Sequence, residues 1–148
     1  MSTLAQTPNP LDDPHVREHP GTLPFWQAAA QGRFVLPTCT GCAKAHWYPR
    51  NFCPFCFSDA IEWRESAGTA TIYSFTSMPR ATPVIVVAYV RLDEGPLMLT
   101  NLVDCDPAEP AIENKVDVRN RTDNRHGIAG YLDDPVVAKR IYDALVAP

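Results

Sequence analysis

The chain has 148 residues, of which 45% are hydrophobic, and 13 basic against 17 acidic side chains give a formal charge of -4. That length allows one ordinary domain, or two small ones of which at least one needs a staple because its core is too small to stand alone. The acidic balance and the lack of a Lys or Arg run argue against generic nucleic-acid binding, and the longest strongly apolar run, residues 83–90, is too short to span a bilayer.

Residues 1–20 are rich in Pro, Asp and Asn and show no period, which predicts a mobile arm. The arm has neither a basic n-region nor an apolar h-region, so it does not read as a secretory signal, and a soluble cytoplasmic protein is expected. His15 and His19 lie in it and read as solvated rather than metal-binding. Thr22–Gln31 predicts a short helix, with Thr22 as cap, Pro24 in the first turn and Gly32 as stop. Its Phe25–Trp26 pair either covers the helix's own domain or helps to dock a partner.

Arg33–Thr38 and Ala45–Tyr48 predict short strands around a first cysteine pair. From Gly68 the pattern turns to β runs over Thr69–Thr76, Val84–Leu92, Leu97–Val103 and Val116–Arg121, with a weaker run near Ile128–Leu132. Asp93-Glu94-Gly95 predicts a tight hairpin turn. Four or five short antiparallel strands suit a small closed barrel, because closure removes exposed edges. Asp134, Pro135 and the stripe Val137, Ile141, Leu145 predict a C-terminal helix.

Cys39-x-x-Cys42 and Cys53-x-x-Cys56 are separated by ten residues. In a reducing compartment two such pairs read as metal ligands rather than disulfides. Two tight turns can each present two thiolates to one tetrahedral ion at about 2.3 Å per bond, and four thiolates leave no open position, so zinc here holds a fold together rather than activating water. A rubredoxin-type iron centre has the same ligands, and a pair of redox dithiols is the other alternative; the loop-like surroundings favour zinc. Cys105, flanked by Asp104 and Asp106, is a poor nucleophile. No catalytic set, phosphate loop or dinucleotide fingerprint assembles elsewhere.

The ordered motifs Phe25-Trp26, Gly32, Cys39-x-x-Cys42, Pro49-Arg50, Cys53-Pro-x-Cys56, Glu62-Trp63, Gly68-Thr69, Tyr73-Ser74-Phe75-Thr76, Leu92-Asp93-Glu94-Gly95 and Asn101-Leu102-Val103-Asp104 closely resemble one family. They resemble the acyl-CoA-associated proteins made of a rubredoxin-like zinc ribbon and an OB-fold, long known as the DUF35 family. The resemblance covers about Leu23–Val118. It departs at Ala43, where members usually have Gly, and after Glu113, where the polar stretch 119–127 and the expected helix follow. It implies a mainly β chain divided into an arm (1–20), a helix plus zinc ribbon (21–66), an OB-fold barrel (67–132) and a C-terminal helix (133–148). It further implies a non-catalytic subunit that binds acyl-CoA within a hetero-oligomer, two of each chain, while a thiolase-superfamily partner (thiolase, acyltransferase or aldolase) supplies the chemistry. Neither nucleic acid nor membrane is an expected partner. CoA phosphates need fixed cations, and Arg50 and Arg80 are the candidates beside the ribbon–barrel junction; alternatively Arg50 pairs with Glu62 and Arg80 is merely solvated. Two other functions compete: a ribbon plus OB module that binds single-stranded nucleic acid, and a stand-alone electron carrier, which requires iron.

Overall fold

The computed structural model describes residues 14–103, 105–120 and 136–140. The first described segment is helical where the sequence suggests an arm: α1 spans Pro14–Glu18, and Val16 is buried. A single 3-10 turn, Pro20–Thr22, leads into α2, Leu23–Ala30. Thr22 does not cap α2 with its side chain; its hydroxyl donates to the His19 carbonyl (2.8 Å) and accepts from the Trp26 indole N–H (3.1 Å). Gly32, at φ +72°, ends the helix by taking the left-handed conformation that a Cβ disfavours, and Arg33 N–H closes onto the Ala28 carbonyl at 2.9 Å.

The ribbon sheet pairs β1 (Val35–Cys39) with β2 (Ile61–Glu65) antiparallel, from Val35 opposite Glu65 to Cys39 opposite Ile61. The strand expected over Ala45–Tyr48 reduces to one bridge, Thr38 to Ala45. β2 is absent from the sequence expectations because three of its five residues are charged and its apolar period is weak.

The barrel follows as β3 (Thr69–Met78), β4 (Ile85–Leu92), β5 (Leu97–Val103), β6 (Lys115–Asn120) and β7 (Val136–Arg140), closed in the order β3-β4-β5-β7-β6. β5 and β7 are parallel and the other neighbours antiparallel, which is the Greek-key arrangement of an OB-fold. Alternation of side chains puts Ala70, Ile72, Val86, Ala88, Val90, Leu92, Met98, Leu102 and Val116 inside. These residues join Phe25, Phe34, Val35 and Leu36 in one continuous apolar core.

The expected C-terminal helix requires correction. Residues 136–140 form β7, whose residues pair with Asn101–Val103 on one side and Val116–Asn120 on the other, and two ladders outweigh the weak four-residue stripe read from the sequence. The remainder of that prediction, and the run near Ile128–Leu132, lie outside the described residues.

Candidate metal centre

β1 ends on Cys39, the turn that follows carries Cys42, and the loop before β2 carries Cys53 and Cys56. Backbone bonds fix both turns: Cys39 N–H to the Lys44 carbonyl (3.0 Å), Cys53 N–H to the Ser58 carbonyl (2.8 Å) and Phe57 N–H to the Cys53 carbonyl (2.9 Å). In each pair the residue after the second cysteine is left-handed, Ala43 at φ 59° and Phe57 at φ 61°. The departure at Ala43 therefore leaves the turn in the conformation a glycine would favour.

All four Sγ atoms lie within 4.8 Å of one another, the single such metal-competent group among the described residues. Cys39 and Cys56 are 3.6 Å apart, as are Cys42 and Cys53. A tetrahedral ion with bonds of about 2.3 Å has sulfur–sulfur edges of about 3.8 Å, so the donor set fits zinc. Phe55 N–H points at the Cys53 sulfur at 3.4 Å. Without a cation the thiols oppose each other's ionisation. The Cys42 backbone N–H lowers Cys39. At Cys53, burial raises the thiol, but the N–H groups of Cys56 and Phe55 and the neighbouring sulfurs bring it down to about 7. At Cys56 the Ser58 N–H favours the thiolate, yet Cys39, burial and the other two sulfurs push it up to about 12. A bound dication removes that conflict.

Beside the centre, the aromatic pair of α2 turns inward. Phe25 is buried and meets the rings of Trp26 (5.3 Å), Trp47 (5.4 Å) and Phe34 (6.3 Å) edge-on, so it covers its own domain rather than a partner. His46 is buried with neither ring nitrogen hydrogen-bonded. Burial lowers its pKa, partly offset by the Arg50 backbone carbonyl lying near the ring outside full hydrogen-bonding geometry. Cys105 is half-buried against the core.

The two candidate arginines are not brought together. Arg50 lies in the ribbon loop with its guanidinium 5.7 Å from the Phe52 ring centre, and Glu62 pairs instead with Arg64 at 2.7 Å. Arg80 is exposed in the β3–β4 hairpin. The ribbon joins the opposite end of the barrel, where β3 begins and where Glu94 of the β4–β5 turn accepts the Ala67 N–H (2.9 Å). A shallow hollow of about 240 Å³ at that junction is lined by Leu36, Thr38, Ala43, Ala45, Arg64, Glu65 and Glu94; its two carboxylates make it a poor phosphate seat. Among the described residues no helix is long and apolar enough to cross a membrane.

Residues 26–62 match the family described as ChsH2, rubredoxin-like zinc ribbon domain, and residues 63–121 match ChsH2, C-terminal OB-fold domain. A curated relative from Thermomonospora curvata, named "Probable enoyl-CoA hydratase alpha subunit", is 37% identical over 89 residues. The match takes in 56% of this chain but spans only 28% of that relative's length. Among solved structures, "Ltp2-ChsH2(DUF35) aldolase" aligns with a TM-score of 0.60 at 27% identity, covering 81% of this chain and 94% of that one. A DUF35 protein of unknown function from Sulfolobus solfataricus aligns with a TM-score of 0.59 at 16% identity, covering 82% and 86% respectively, and shows the shared fold.

Proposed function

The chain belongs to the DUF35 family, with its ChsH2-type zinc ribbon and OB-fold in that order, and from that premise we propose that it is a non-catalytic subunit of a thiolase-like complex acting on acyl-CoA. The observation that carries the reading is the division of labour in the site. Its one metal-competent cluster among the described residues is a closed set of four thiolates, and Cys105 sits half-buried against the core. A closed tetrahedral zinc stabilises the ribbon and offers no position to a substrate. The chemistry then falls to a partner, a reading supported by the names of two relatives: one is named a probable enoyl-CoA hydratase alpha subunit, the other an aldolase of two named components.

In this proposal Cys39, Cys42, Cys53 and Cys56 hold one zinc, and the assembly is a cytoplasmic hetero-oligomer with two copies of each chain and no nucleic acid. Arg50, in the ribbon loop, and Arg80, in the β3–β4 hairpin, remain the proposed contacts to CoA phosphates. The test is turnover of an acyl-CoA by the purified chain, by a thiolase-superfamily protein from the same organism, and by the two together. Activity that needs both is the expected result. Turnover by this chain alone, or a partner indifferent to it, overturns the proposal. Titration of the assembled complex with acyl-CoA should show Arg50→Ala weakened roughly tenfold, the loss of one charge-assisted contact.

A further inference from the structure

The outer surface of β3, β4 and β5 does not look like the outside of a barrel. Residues paired across an antiparallel ladder share a face, so the register of Ser74, Tyr89 and Leu99, of Val87 and Asn101, and of Arg91 and Leu97 places them all outward. On that face Tyr73, Met78, Ile85, Tyr89, Leu97 and Leu99 are 37 to 53% exposed. A strand with one solvated face normally alternates apolar with polar; the outward positions of β4 and β5 are apolar except for Arg91 and Asn101. Arg91 is the one charged residue in the three strands, and its guanidinium lies 5.2 Å from the Tyr73 ring centre. The face is centred on the second and third barrel strands, the surface that OB-folds use for ligands.

Three occupants compete. A nucleic-acid strand needs a row of free cations along its phosphates, and this face has Arg91 and, at its edge, Lys115, which is paired with Asp93. A second copy would bring the same surface by two-fold symmetry, and the one carboxylate at its margin, Asp93, is already held by Lys115 and the Thr69 hydroxyl, which leaves Arg91 without a free anion on a symmetric copy. A different protein chain, with an apolar patch and a carboxylate opposite Arg91, satisfies both terms. Tyr, Met and Arg are also the residue types enriched at interface cores, where acidic residues and Lys are depleted. Three strands about 4.8 Å apart and some 25 Å long make roughly 350 Å² of sheet, against about 800 Å² per partner in a standard interface. The face is therefore sized as the apolar core of such an interface, with a polar rim around it.

We infer that the outer face of β3–β5, centred on Tyr89 and Leu99 with Arg91 at its margin, is where the catalytic partner subunit docks. This rests on the complex proposed above. The probe is the thiolase-superfamily protein that restores acyl-CoA turnover in the test above, titrated by calorimetry with the zinc-loaded chain and its Tyr89→Asp, Leu99→Asp and Arg91→Glu variants, each first checked for zinc content and melting temperature. The expected result is a loss of roughly 30-fold or more for each apolar substitution, as at an interface hot spot, with Asp59→Ala on the ribbon within about twofold of the parent. Arg91→Glu, fully on the surface, serves where an aspartate variant does not fold, and should lose roughly tenfold. A complex that forms and ignores all three substitutions overturns the surface while leaving the proposed function standing. No complex at all overturns the proposed function and this inference with it. A homodimer broken by Leu99→Asp assigns the face to a second copy, and tight binding of an oligo-dT strand that is lost in Arg91→Glu assigns it to nucleic acid; either result overturns the inference.

Discussion

In the ribbon, β1 and β2 share five register pairs and β2 leaves every side chain at least partly exposed, whereas in the barrel each of β4 and β5 sends alternate residues into a closed interior. Both regions are short-stranded β structure, but the apolar residues of the first, Phe25, Phe34, Val35 and Leu36, are buried in the core they share with the barrel, and its cysteine loops have no separate core to offset the entropy of ordering them. The end of β1 and the loops that follow it carry the four cysteines instead. The difference is that between a fold held by one ion and a fold held by packing, and it can be tested by breaking each support separately.

The largest effect is expected at the metal. Cys53→Ser should lose the single equivalent of zinc and with it the order of the ribbon, because binding to a structural site of this type contributes about 10 kcal/mol or more of apparent free energy. The three tryptophans, Trp26, Trp47 and Trp63, all lie in α2 or the ribbon, whereas the barrel strands contain Tyr73 and Tyr89. Tryptophan emission should therefore shift to that of wetted indole while the barrel's far-ultraviolet signal persists. Ile72→Ala, deep in the barrel, should cost about 2–5 kcal/mol and leave zinc bound. If Cys53→Ser keeps its metal, or if Ile72→Ala releases it, the two supports are not separate.

The same contrast explains what the sequence made legible. Cysteine spacing is a local property, so the ligands could be named without the fold. Alternation along Thr69–Val103 likewise exposes the barrel strands. β2 escaped because Ile61-Glu-Trp-Arg-Glu65 has little apolar period, and its partner strand is set by where the second cysteine pair delivers the chain. Val136 and Val137 escaped because a four-residue stripe is a local signal and the ladders to β5 and β6 are not. The outward face of β4 escaped for a different reason: a run apolar at every position predicts burial on both sides, and only the barrel's closure shows that Tyr89 and Ile85 face out.

A smaller effect, confined to the ribbon, is expected from pH. Burial holds His46 below its ordinary pKa of about 6.5. A base that is harder to protonate when folded contributes stability that is fully present above the unfolded value and is lost as pH falls through it toward the folded value. The urea midpoint of the ribbon transition, followed by tryptophan emission, should fall as pH drops below about 6.5. Acid also removes zinc, so the comparison is with His46→Phe, which cannot titrate and leaves no unpartnered ring nitrogen. At equal zinc occupancy its profile should be flatter over that window; an unchanged slope would assign the pH dependence to the thiolates alone.

The smallest effect tests whether the ribbon's turns are shaped by backbone preference or by side-chain contact. Ala43 and Phe57 stand at matching places after the two cysteine pairs, both left-handed. That conformation costs a residue with a Cβ about 1–2 kcal/mol, and glycine returns roughly 0.5–1 kcal/mol of that through the freedom it gains on unfolding. Ala43→Gly should therefore stabilise the zinc-loaded ribbon by less than about 1 kcal/mol, a rise of a few degrees in its melting temperature. Phe57→Gly should do nearly as well, because its ring is 79% exposed and little burial is lost. Gly32→Ala provides the mirror experiment: φ is +72° with nothing within 4 Å of the added Cβ, so the strain alone should lower stability by about 1 kcal/mol. Ala43, however, also lines the hollow with Leu36, Thr38 and Arg64. If Ala43→Gly lowers the melting temperature while Phe57→Gly raises it, the methyl group's contacts with β1 and β2 outweigh the strain. The first turn would then be held by packing after all, and the contrast between ion-held ribbon and packed barrel would begin only at the second cysteine pair.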